Sequence, residues 1–363
     1  MGAVLSNTLE NMWRGKALPV GGVAAPVLPS IDAAAVAKLL TLCPRHAVTP
    51  LIDADDLAQE IGIGQLWIKD ERARMGLGSF KALGAAYAIA REAAEALGKQ
   101  TPDEPIWETA LEGRTFATAS AGNHGLSVAA GAGLFGAHAV IFLAKTVPEA
   151  FAERLRDKGA EVVRAGDDYE ASMAAAQAAA EENDWTLLSD SSWPGYTEPA
   201  SAVMEGYLQL AAEAAAQMGE APTLIMLQAG VGGMAAAVAA YARHVWGDAP
   251  KIVVVEPDVA PALIESIRAG QLVDTRGAAS CMGRLDCKTP SLVALNGLAC
   301  DADLFVTISE DEGADAARRL TRMGYATTPS GGAGLAALIA GRIPELGPDA
   351  RVLAILSEGL EDG

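Results

Sequence analysis

From residue 115 onward the chain switches repeatedly between short apolar runs and longer stretches of helical periodicity. The runs "TFATAS", "HAVIFLA", "AEVVRAG", "WTLLSD", "TLIMLQAG", "KIVVVEP", "LFVTISE" and "RVLAILSEG" are the strand candidates, with helix candidates between them. A strand that is apolar at nearly every position must bury both faces. That is the condition of a parallel strand covered by helices on either side. The alternation therefore predicts an α/β protein. It falls into two sets, so two lobes are expected, each a largely parallel sheet flanked by helices, with an active site in the cleft between them at the carboxyl ends of the strands. Residues 116–195 make the small lobe, and residues 1–115 with 196–363 make the large one. Upstream, "HAVTPLI" opens an extended stretch, "QLWIKDE" reads as a strand, and Lys81 to Gly98 reads as a helix stopped by its glycine. "GKQTPDEPIWETALEGR" reads as a connecting loop, 197–219 as one helix, 259–269 as another, and a further helix starts at Glu312. The stretch around "ASCMGRLDCKTP" reads as irregular.

Composition narrows the function classes. The 363 residues suffice for two lobes, and 51% hydrophobic with 20% charged residues is globular usage. A net charge of -19 argues against nucleic acid or an anionic membrane surface as partner. No apolar run reaches spanning length, and the first residues show no basic segment followed by an apolar one, so neither a membrane span nor a leader is expected. "MGAVLS" fits a myristoylation pattern, but so short a match arises by chance and one acyl chain anchors weakly. Cys43, Cys281, Cys287 and Cys300 form no C-x-x-C pair, so reduced thiols in a cytoplasmic protein are expected, with a bridge from Cys287 to Cys281 or Cys300 left open. The four histidines show no metal-binding spacing, and no metal is expected.

Three short segments carry chemistry. In "KDERARMGLGSFKALGAAYA", Lys81 stands at the start of a helix, after a glycine-rich turn. Such a lysine is either an ordinary surface residue or an amine held for reaction with a carbonyl. In "QAGVGGMAAAV", Gly230, Val231, Gly232, Gly233 and Met234 link a strand to a helix, where backbone amides can converge on an anion. The alternatives are a tight turn without ligand, or a dinucleotide fingerprint of a nicotinamide oxidoreductase with Glu256 as the ribose-binding acid. In "TASAGNHGLSVA", Ser120, Ala121, Gly122, Asn123 and His124 form a small turn suited to a substrate carboxylate, with Asn123 able to meet a phenolate or ring substituent. The bland alternative is that Ser120 or Asn123 caps the helix.

Taken together and in this order, the three segments resemble the tryptophan-synthase-β fold of pyridoxal-phosphate enzymes (fold type II), shared by threonine and serine dehydratases and cysteine synthases. Within that fold the chain is most similar to the diaminopropionate ammonia-lyases, through "KDERARMGLGSFKALGAAYA", "SDSSWPGYTEPASAVMEGY", "QAGVGGMAAAV", "MGRLDCKTPSL" and "LSEGLEDG". The resemblance implies a pyridoxal 5'-phosphate lyase that performs α,β-elimination on a small amino acid, yielding a 2-oxo acid and ammonia. It implies that Lys81 binds the cofactor covalently and then acts as general base, its pKa lowered by burial and a nearby cation. Gly230 to Met234 would hold the phosphate, Asn123 the ring hydroxyl, and Ser357 would face the pyridine nitrogen. Ser120, Ala121, Gly122 and His124 would line the substrate's place, and Asp190 matches the family's second active-site acid. From the residues alone, Asp190 reads equally as a cap on the turn that follows its strand. A homodimer is implied by analogy. One position departs. The family carries an aspartate just before Gly-Asn-His, and this chain has Ala121, as in threonine and serine dehydratases. That leaves a dehydratase-like lyase on another β-substituted amino acid as the alternative activity.

Overall fold

The computed structural model describes residues 8–16, 18, 27–98, 106–344 and 346–360. The "MGAVLS" segment and residues 99–105 of the connecting loop lie outside these. Eleven strands are described: β1 (Thr8–Glu10), β2 (Leu51–Asp53), β3 (Gln65–Asp70), β4 (Thr115–Ala119), β5 (His138–Leu143), β6 (Glu161–Arg164), β7 (Thr186–Leu187), β8 (Leu224–Gln228), β9 (Lys251–Pro257), β10 (Leu304–Ile308) and β11 (Arg351–Leu356). They form a seven-stranded sheet in the order β1-β10-β9-β8-β11-β3-β2 and a four-stranded sheet in the order β6-β5-β4-β7. Every pairing in the smaller sheet is parallel, and only the edge strands β1 and β2 of the larger one run antiparallel.

The apolar runs divide between two layers as a strand's period of two demands. Ile225, Leu227, Ile252, Val254, Leu353 and Ile355 enter one layer; Leu224, Met226, Val253, Val255, Val352 and Ala354 enter the other, none above 5% exposed. The first layer continues through helices Lys81–Leu97 and Asn123–Leu134 to Phe116, Ile141 and Leu143 of the smaller sheet, so one apolar body joins the two sheets. Alanine and glycine make this possible by letting helices come close. A Cβ on Gly206 would lie 2.5 Å from the Leu83 carbonyl oxygen and 2.7 Å from the Gly84 Cα.

The structure corrects several element boundaries. The single helix expected over 197–219 is two, Glu198–Gly206 and Leu208–Gln217, which meet at Gly206–Tyr207 where the first rests on Lys81–Leu97. A helix over Leu292–Asp301, opened by Ser291 after Pro290, follows the irregular stretch and has no counterpart in the sequence reading. The helix expected from Glu312 starts at Glu310, because Ser309 and Glu312 close a reciprocal capping box. The helix expected over 259–269 starts at Ala262. Among the described residues no helix is long and apolar enough to cross a membrane.

Candidate active site

Lys81 is the first residue of its helix, and the turn before it is bent by left-handed backbone at Met75, Gly76 and Gly78 (φ 53, 69 and 78°). The turn is laced to the end of β11: Glu71 N–H donates to the Leu356 carbonyl (2.9 Å), Phe80 N–H to the Ser357 carbonyl (3.0 Å), and Gly359 N–H to the Gly78 carbonyl (3.0 Å). These bonds place Ser357, 4% exposed, beside the root of Lys81. The Lys81 amine lies 5.5 Å from the centroid of the Phe80 ring and forms an ion pair with Asp190, which follows β7 of the other sheet.

Burial alone would lower the Lys81 pKa, but the Asp190 carboxylate outweighs it and holds the ammonium above its ordinary value. This reverses the expectation of a lowered pKa: the partner at the amine is a carboxylate, not a cation. Asp190 is driven the other way. Burial disfavours its charge, yet Lys81 and His124 keep it well below the usual carboxylate range. Nor does Asp190 cap the turn after its strand. That turn is held by Ser189 Oγ, which accepts from Ser191 N–H (3.2 Å), and by Tyr196 Oη, which donates to the Leu187 carbonyl (2.8 Å).

The asparagine turn lies at the end of β4. Gly122 is the N-cap of its helix, without a side-chain cap, so neither Ser120 nor Asn123 acts in that way. Ser120 Oγ instead accepts from Gly122 N–H (3.3 Å), and Asn123 Nδ2 reaches across to donate to Glu358 Oε2 (2.6 Å). His124, 3% exposed, hydrogen-bonds the Leu188 carbonyl through Nε2 (2.8 Å), and burial lowers its pKa. Its Nδ1 is buried without a partner. Ala121 is half-buried and brings no charge.

The glycine loop runs from β8 into helix Gly233–Trp246. Gly232 has φ +99°, a conformation that only glycine adopts freely, and the Val231 carbonyl accepts from Ser291 N–H (2.9 Å). A Cβ on Gly230 would come within 2.9 Å of Cys287 Sγ, and one on Gly233 would rest 3.5 Å from Tyr207 Cε2, in ordinary contact. Met234 is buried behind it. Glu256 does not serve this loop. Its carboxyl, 1% exposed, accepts from the backbone N–H groups of Leu263 (2.7 Å) and Ile264 (2.8 Å), capping the helix Ala262–Ala269. The dinucleotide reading loses its ribose acid to a structural role.

Lys81, Asp190, Asn123, Gly230–Met234 and Ser357 thus converge at the strand ends between the sheets. Sequence reasoning missed four neighbours. Glu358 takes the Asn123 amide and the Thr328 hydroxyl, with Arg284 Nε 3.9 Å away. Arg284 Nη1 lies 2.6 Å from where a Cβ on Gly122 would sit. Cys287 roofs Gly230, its thiol pushed up to about 12 by burial. Tyr207 lies with its ring edge on Phe80, centroids 4.9 Å apart. Each belonged to a quoted motif, "MGRLDCKTPSL", "LSEGLEDG" or "MEGY", and motif membership was the available signal. The four cysteines are free, and among the described residues no group of three or more His, Cys, Asp or Glu side chains could hold a metal.

The profile of the family described as "Pyridoxal-phosphate dependent enzyme" matches residues 42–358. The diaminopropionate ammonia-lyase of Escherichia coli (strain K12) is 34% identical over 338 residues, 86% of this chain and 85% of that protein. That of Salmonella typhimurium (strain LT2) is 34% identical over 282 residues, 74% and 70% of the two chains. The crystal structure of the Escherichia coli diaminopropionate ammonia lyase with an aminoacrylate-PLP azomethine reaction intermediate superposes with a TM-score of 0.83 at 30% identity, covering 98% of this chain and 94% of that one.

Proposed function

Because the chain belongs to the family of pyridoxal-phosphate dependent enzymes, and is an ammonia-lyase working by α,β-elimination on a small amino acid, we propose 2,3-diaminopropionate as its substrate. The observation that carries the reading is the Lys81–Asp190 pair, set between the glycine loop and the asparagine turn.

The residues present fit the cofactor. Gly230–Met234 lead into a helix start, where aligned backbone amides favour a phosphate. Two buried polar atoms in the field of Lys81 and Asp190, His124 Nδ1 and the Tyr207 hydroxyl, have no protein partner among the described residues. Lys81 is the residue to hold the cofactor covalently, with Asn123 at the ring hydroxyl and Ser357 at the pyridine nitrogen. Bound there, pyridoxal phosphate supplies an electron-withdrawing system that acidifies the α-carbon of the substrate amine.

The chain's own groups then divide the work. The backbone amides of Ser120–His124 bind and orient the substrate carboxylate. Lys81, in its neutral form, takes the α-proton at Nζ. Asp190 holds the amine in place and stabilises it once it carries that proton. Ser357 offers a neutral hydroxyl, not an acid, to the ring nitrogen, which suits elimination over reactions that need a full electron sink. The smaller lobe, residues 116–195, closes on the larger to exclude water. A homodimer and a cytoplasmic setting complete the proposal.

Ala121 favours a second reading, a dehydratase-like lyase on a β-hydroxy amino acid, because no carboxylate stands there to hold a β-ammonium. The test is release of ammonia and 2-oxo acid from L- and D-2,3-diaminopropionate, L-serine and L-threonine. Turnover of the L-diamine above the others supports the diamine. Faster release from L-serine or L-threonine supports the second reading, and no release from any of the four removes both.

A further inference from the structure

Tyr207 closes the "MEGY" segment at the break between helices Glu198–Gly206 and Leu208–Gln217, and no step above uses it. Its ring is wedged where two functional helices begin. Cε1 lies 2.7 Å from where a Cβ on Gly84 would sit, one turn after Lys81, and Cε2 lies 3.5 Å from that position on Gly233, the last glycine of the anion loop. The ring edge rests on Phe80, the same ring over which the Lys81 amine lies. The hydroxyl at its tip belongs to a residue only 2% exposed and has no hydrogen-bond partner. A buried hydroxyl left unpaired is destabilising, so the site holds this one at a cost to stability. Tyr207 and Lys81 each lie in the other's field, as do Tyr207 and Asp190.

We infer that Tyr207 is a positioning residue for Lys81, its hydroxyl being the partner that the amine uses whenever it leaves Asp190. The chemistry favours such a partner. A carboxylate only accepts hydrogen bonds, so Asp190 serves the ammonium and opposes the neutral amine that must attack a carbonyl or take a proton. A phenol both donates and accepts. It can donate to the neutral amine's lone pair and accept from the ammonium, holding Nζ through both states and more firmly in the charged one. This role rests on the proposed use of Lys81. The titratable groups around the amine are Asp190 after β7, Cys287 from the 279–290 stretch, Tyr169 at the start of helix Tyr169–Asn183, and Tyr207 itself, with His124 acting on Asp190.

The test is Tyr207→Phe, which keeps the ring and removes the hydroxyl, measured in the pyridoxal-phosphate-loaded protein and in the apoprotein. Expected are an apoprotein melting temperature unchanged or raised and a cofactor that still binds. The visible absorbance of the lysine-bound cofactor should titrate with a midpoint displaced by about one pH unit, and kcat should fall about tenfold with KM little changed, the equivalent of one hydrogen bond. Placing 3-fluorotyrosine at 207, which keeps the hydroxyl but lowers its pKa, should displace the same midpoint while retaining most of kcat. An unchanged titration and kcat in Tyr207→Phe would overturn the inference. So would a fall in melting temperature with loss of bound cofactor, which would make the hydroxyl structural. Both leave the wild-type colour and turnover intact. A wild-type protein that never takes up the cofactor would instead overturn the reading of Lys81, and this inference with it.

Discussion

Lys81 and Asp190 are 109 residues apart in the chain and meet across the gap between two sheets. The lysine was legible in the sequence because a left-handed glycine turn before a helix is a local signal. Its pairing with Asp190 was not, since that is decided by which strand end faces which. The same holds for Glu358, 235 residues from the asparagine it binds. Glu256 shows the opposite error: its place at a strand end was read correctly, yet its side chain turns to the helix that follows. A consequence at this scale concerns Asp190→Asn. Asp190 raises the Lys81 pKa, so its removal lowers it and makes the neutral amine available at lower pH. Colour development after mixing apoprotein with pyridoxal phosphate should accelerate with rising pH in both proteins. The variant's curve should lie at lower pH, giving about a tenfold faster rate at neutral pH for each unit of displacement. Superimposable curves would remove Asp190 from control of the amine.

Helices and strands were legible wherever their apolar period was long, and less so where tertiary contact interrupts it. The break at Gly206–Tyr207 is such a case: the composition of 197–219 is helical throughout, and the break falls where the helix crosses Lys81–Leu97. Gly206→Ala places a Cβ against backbone atoms of Leu83 and Gly84 that cannot step aside. It should lower unfolding free energy by about 1–3 kcal/mol, the usual cost of overpacking, as read by urea titration; an unchanged midpoint would mean the crossing is loose. Glu256 gives a second test at this scale. Burial raises its pKa to about 8 against the two backbone N–H bonds that favour its charge. Between an ordinary carboxylate pKa and about 8, the unfolded chain has released a proton that the folded chain keeps, so stability falls as pH rises through that window. Urea midpoints at pH 5 and 8 should therefore draw together in Glu256→Gln relative to the wild type. An equal difference in both proteins would show that Glu256 does not govern this slope.

On the scale of the whole molecule, the alternation of buried strands and helices was enough to predict two parallel sheets, because few other arrangements bury such strands on both faces. What it could not predict is the roof. Arg284 and Cys287 lie in an irregular stretch without periodicity, and only the fold brings them over Gly122 and Gly230. The shared apolar layer sets the two sheets so that their carboxyl ends face one gap, and the lysine, the asparagine turn and the glycine loop are arranged around it. The central claim is that this gap holds pyridoxal phosphate on Lys81. The most direct test is the visible spectrum of the purified protein after addition of pyridoxal phosphate, beside that of Lys81→Ala treated alike. Expected are a yellow wild-type protein and a variant without that absorbance or any turnover. A wild type that stays colourless, or a Lys81→Ala protein that keeps both colour and activity, would contradict the claim.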